Sequence, residues 1–83
     1  MNPNKNLGAN IRELRKQQNI SQEVLAELAN LHRTYISAVE RGRTNVTYRT
    51  LRKIAHGLGI TVAELTSGVN ANDFRISHGA PRE

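Results

Sequence analysis

The 83-residue chain has no cysteine and no tryptophan, and its aromatic content is two tyrosines and one phenylalanine. Without cysteine there is neither a disulfide framework nor a thiolate metal cage, which excludes a stapled secreted miniprotein and a zinc finger and points to a cytosolic compartment. Long apolar runs are also missing. The longest is Val24-Leu25-Ala26, and the opening Met1-Asn2-Pro3-Asn4-Lys5-Asn6 is polar, so neither a membrane span nor a signal peptide is expected. A chain this short hides roughly 60% of its unfolded surface, enough for one thin core but not for a deep catalytic cavity, and subunit pairing would assist it. The chemistry-bearing constellations are absent too. There is no histidine pair at zinc spacing, no nucleophile elbow and no carboxylate pair with a pocket to occupy, so no enzyme activity, cofactor or metal is expected. Gly57-Leu58-Gly59 lacks the preceding strand and third glycine of a nucleotide-binding loop and reads as a helix stop. His56 reads as a C-terminal dipole partner or surface residue, and His78 in the tail carries no signal.

What is present is a localised positive charge. The chain carries a formal +5, and residues 32–56 hold all of it: Arg33, Arg41, Arg43, Arg49, Arg52 and Lys53 against Glu40 alone. Residues 1–31 and 57–83 are nearly neutral and offset one another. A single-sign field confined to one short segment attracts a polyanion, because phosphate contacts release condensed counterions. On charge alone, a basic face that merely keeps a small protein soluble is an equal reading, so position must decide.

Periodicity predicts an all-α bundle of about five short helices. Leu7, Ile11 and Leu14 recur at spacings of four and three across a first helix at 7–18, which Asn19 ends. Ser21 is an N-cap for a second at 22–29, and Asn30 makes the following turn. His32 caps a third at 33–41, closed by Gly42, and a fourth runs 48–57 with Leu51, Ile54, Ala55 and Leu58 on one stripe. Thr61-Val62-Ala63-Glu64 matches a capping box and opens a brief fifth helix at 62–66. Residues 1–68 form one domain, and 69–83 a tail open between a dimerisation segment and partial disorder.

The second and third helices, joined by a short turn, must cross steeply. Ala26 is small enough for that approach, and Ile36 and Val39 are expected to pack inward against Leu25 and Leu28. At about 100° per residue this turns Thr34, Ser37, Ala38 and Arg41 to the opposite side, with Arg33 flanking them. That set is short and cationic, without the Glu/Lys mixture of a solvated helix face, and it suits a major groove about 12 Å wide. Arg33 can match guanine O6 and N7, while Thr34, Ser37 and the methyl of Ala38 can hydrogen-bond or touch a thymine methyl.

The stretch from Ser21-Gln22-Glu23 through Ala26, Asn30 and Ile36-Ser37 to Glu40-Arg41-Gly42 strongly resembles the helix-turn-helix of lambda-repressor-like (XRE-type) transcriptional regulators, over residues 7–66. Asn30 departs from the glycine commonest there. The resemblance implies that Gln22 grips a phosphate at the amino end of the second helix. It implies further backbone contacts from His32, Tyr35, Arg41, Arg43, Asn45 and Tyr48; for Tyr35, packing is an equal reading. It implies a structural ion pair between Arg15 and Glu40, and a dimer surface formed by Leu65, Val69, Phe74 and Ile76.

The function that follows is a sequence-specific DNA-binding regulator, a homodimer on a near-palindromic double-stranded operator, resident on the nucleoid within the cytoplasm. Arg33-Thr34-Tyr35-Ile36-Ser37 and the small size resemble restriction-modification controller proteins, which act on their own operon, and prophage-type repressors share these features. The alternatives are an antitoxin-type module that binds a protein partner and autoregulates, and a non-specific nucleoid or RNA-binding protein.

Overall fold

The computed structural model describes residues 6–67, which form five α-helices: α1 (Leu7–Gln17), α2 (Gln22–Ala29), α3 (Arg33–Glu40), α4 (Tyr48–Leu58) and α5 (Val62–Leu65). Every helix begins on a side chain that accepts a backbone N–H of its first turn: Asn6, Ser21, His32, Thr47 and Thr61 in order. The Thr61–Glu64 capping box is fully formed. The first four helices stop by one device, a left-handed residue at Asn19, Asn30, Gly42 or Gly59 whose successor donates its N–H five residues back, as in Leu31 to Ala26 O at 2.8 Å and Arg43 to Ala38 O at 2.9 Å. Asn30 adopts this conformation, at φ 58°, because asparagine is among the few side chains that tolerate the left-handed region.

One apolar core joins the helices. Ile11, Leu25, Ile36, Leu51, Ile54 and Leu65 are fully buried. The central layer is the α2–α4 pair, and α1 packs on α3. Two close approaches set the spacing. A Cβ on Gly8 would lie 2.4 Å from Val39 O and 2.5 Å from Glu40 O, so α1 rests directly on the backbone at the end of α3. Ala29 is buried where α2 meets Gly57 of α4, at 3.1 Å from a Cβ built there. No described helix is long and apolar enough to cross a membrane.

Two expectations fail here. Leu28 is 52% exposed and lies outside the core. The inward face of α2 is Leu25, Ala26 and Ala29, and a residue three beyond Leu25 sits about 300° round the helix, past the edge of that face. Leu65, expected on a dimer surface, is fully buried within the protomer's own core. Val69, Phe74 and Ile76 lie outside the described residues.

Candidate nucleic-acid interface

The interface is built from the amino ends of α2 and α3 and the loop before α4. Ser21 Oγ accepts from Val24 N at 3.0 Å and fixes the start of α2. The turn through Asn30 then delivers α3, whose first free N–H, that of Thr34, is taken by His32 Nδ1 at 3.2 Å. Ile36 and Val39, both buried, fasten α3 to the core. The opposite side therefore faces solvent: Arg33 and Thr34 are exposed, and Ser37 and Ala38 half-buried. Tyr35 is half-buried, packed against the core beside this face. Arg41, Arg43 and Asn45 are exposed along the α3–α4 loop, which is pinned by buried Val46, and half-buried Tyr48 opens α4. Arg33, Arg41, Arg43 and Arg49 of the central segment are exposed.

Glu40, the one acid there, is turned inward. Its side chain is 3% exposed, and its carboxylate accepts from Arg15 Nε at 2.7 Å and Arg15 Nη2 at 3.0 Å, a bidentate pair linking α1 to α3. Arg15 Nη1 also donates to Ile20 O at 3.0 Å. The hydrogen bond to Glu40 raises the Arg15 pKa above its ordinary value, against the lowering effect of burial, with the charge attraction of Glu40 adding to the rise. The guanidinium is therefore cationic at every physiological pH and balances the charge of the acid it holds.

Gln22, expected to reach outward from α2, is half-buried, and its Nε2 donates to Glu40 Oε1 at 3.0 Å. Sequence reasoning did not foresee that link, because residues 18 apart on different helices leave no local trace. Gly8 went unmarked for the same reason: the carbonyls it seats against belong to Val39 and Glu40, far along the chain. Asn10 was missed as well. Among the described residues it is the buried polar one, and its Nδ2 donates to Leu65 O at 2.9 Å and Ser67 O at 3.1 Å, tying α1 to the end of α5.

Two short helices joined by a tight turn, the second held by its apolar side and open on a cationic, small-residue side, define a helix-turn-helix DNA-reading head. The comparison with known proteins agrees: the family model described as Helix-turn-helix matches residues 11–65, and the chain belongs to this XRE-type family of DNA-binding transcriptional regulators, which are not enzymes. The chain is 49% identical over 59 residues to the control protein C.SmaI of Serratia marcescens, covering 71% of this chain and 70% of that one. The crystal structure of the restriction-modification controller protein C.AhdI from Aeromonas hydrophila matches with a TM-score of 0.70 at 44% identity, over 71% of this chain and 89% of that one. The C.Esp1396I nucleoprotein complex matches with a TM-score of 0.67 at 36% identity, over 71% of this chain and 77% of that one. The antitoxin-type alternative finds no support in these likenesses.

Proposed function

We propose that this protein is an operator-binding regulator of the controller type, acting as a homodimer on its own promoter region, with α3 of each subunit in the major groove of one half-site. The observation that carries the reading is the open amino-terminal side of α3, cationic and small, with the segment's acid buried behind it. Arg33 reads guanine through its two-pronged fork. Thr34, Ser37 and Ala38 contact neighbouring base edges, where a bulky acid would block approach. Gln22, His32, Tyr35, Arg41, Arg43, Asn45 and Tyr48 hold the flanking phosphates and fix the register without adding sequence information. Two-fold symmetry gives a near-palindrome with half-site centres about 34–36 Å apart. Dimerisation is assigned to the segment after residue 68, through Val69, Phe74 and Ile76, with residues 1–68 as the reading domain. The likeness to control proteins and to a nucleoprotein complex supports a regulator of this kind.

The test is selection of bound duplexes from a random pool at about 0.15 M salt, followed by the mass of the purified complex. A two-fold symmetric motif and two chains per duplex support the proposal. An enriched motif without symmetry, or one chain per duplex, overturns the dimer, and no enriched motif overturns sequence reading.

A further inference from the structure

The Arg15–Glu40 pair joins α1 to α3, yet its carboxylate also takes a hydrogen bond from a third helix, through Gln22 at the first position of α2. A structural tie between α1 and α3 does not need that bond. Its effect is on Gln22. A glutamine carboxamide on the first turn of a helix has three rotatable bonds, and fixing it at the moment of binding loses rotamer entropy. Here Glu40 Oε1 holds one of the two N–H groups of Nε2 at 3.0 Å, and Glu40 itself is held by two N–H groups of Arg15. The second N–H of Gln22 has a fixed direction as a result. Gln22 lines a shallow surface notch with Arg15, Ser21, Glu23 and Arg33, at the junction of the three helices and beside the amino end of α2.

We infer that Glu40 is a positioning residue for DNA binding: anchored by Arg15, it orients the Gln22 carboxamide so that its remaining N–H meets a backbone phosphate in the notch formed with Ser21 and Arg33. The inference rests on the DNA-binding reading above and adds to it a cause for the grip of Gln22. The chain Arg15–Glu40–Gln22 is a row of donors and acceptors in which each member fixes the next, and the phosphate is its final acceptor. The buried carboxylate does not oppose the phosphate, because Arg15 neutralises it from behind. Glu23, on the rim of the same notch, is the acid that the Gln22 and Arg33 donors must outweigh.

The test is the loss of duplex affinity caused by Gln22→Ala in three backgrounds, measured by anisotropy on a fixed non-specific duplex, since a phosphate contact is independent of sequence. In the unaltered chain the loss is expected to be about tenfold, the scale of one hydrogen bond to a charged group. In Glu40→Gln, whose amide oxygen still accepts from Gln22, most of that loss remains. In Arg15→Met/Glu40→Met, which replaces the pair with apolar side chains of similar length, a change many proteins tolerate, it falls below about twofold. An equal loss in the Met/Met background, or no loss in the unaltered chain, overturns the inference. A second measurement requires no variant. In a 1H–15N spectrum of the free protein, one Gln22 side-chain N–H should exchange more slowly than either of exposed Gln17, and identical behaviour of the two residues overturns the inference even if the Met/Met chain does not fold. Failure of base reading has a separate signature, an Arg33→Ala chain with unchanged sequence preference, and leaves the Gln22 result interpretable.

Discussion

Gly8→Ala sets two effects of opposite sign against each other. Within a helix, alanine is favoured over glycine by about 0.5–1 kcal/mol, so propensity alone predicts a more stable protein. The tertiary structure predicts the reverse. The added methyl would lie 2.4 Å from Val39 O, 2.5 Å from Glu40 O and 2.9 Å from the Glu40 carbonyl carbon, all backbone atoms that cannot swing aside. Relief requires α1 to withdraw by close to an ångström, which loosens buried Leu7 and Ile11 on the same helix. Burying each of those side chains contributes about 1.5–3 kcal/mol, and a gap of that size forfeits about a quarter to a half of their contact energy. With the clash itself, the loss is about 2–3 kcal/mol, the upper part of the overpacking range. The net expectation is destabilisation by about 1–2 kcal/mol, which lowers the melting temperature of a domain this size by at least about 4 °C. Thermal unfolding followed by circular dichroism measures it. A melting temperature equal to or above that of the parent would refute the direct seating of α1 on α3. Because the methyl presses on the carboxyl end of α3, the folded variant should also bind operator less tightly.

The core and caps make further claims. Ile36→Ala should destabilise by about 2–5 kcal/mol in chemical denaturation, since it opens a void under the reading helix, and an unchanged midpoint would contradict the inward face of α3. Leu28→Gln should shift stability by no more than about 0.5 kcal/mol, as expected of an exposed position; a loss of core size would return Leu28 to the interior. Ser21→Ala removes the Val24 N–H acceptor and should lower stability by about 1 kcal/mol in the same assay, with no loss arguing against the cap. Glu40→Met alone, which strands the mostly buried Arg15 cation, should cost about 3–5 kcal/mol, far more than the double replacement with Arg15→Met. Equal stabilities for the single and double variants would show that the pair is not coupled.

Much of the fold was legible because its signals are local. Ser21 and Thr61 stand where hydroxyls cap helices, Asn30 and Gly42 where the chain needs a left-handed residue, and Ile36 and Val39 carry the period of α3. The open face of α3 follows from that period by subtraction. Misreadings arose where local pattern and tertiary need diverge. Leu28 resembles a core residue by type, but the inward side of α2 is marked by small alanines, because α2 lies tight against α4 at Gly57. Leu65 looks surplus to a four-helix core, but the space it fills exists only once α1, α4 and α5 converge. Gly8, Asn10 and the Gln22–Glu40 bond depend on partners 18 or more residues away, and no periodicity within one helix encodes them.

The central claim is that the outward side chains of α3 read bases. It is tested most directly by titrating the selected operator and a scrambled duplex of equal length with the parent chain and with Arg33→Ala at about 0.15 M salt. The parent should prefer the operator by at least about a thousandfold, and Arg33→Ala should lose about 1–3 kcal/mol on the operator with relaxed preference at a single base pair per half-site. An equal loss on both duplexes would make Arg33 a phosphate contact and contradict the account.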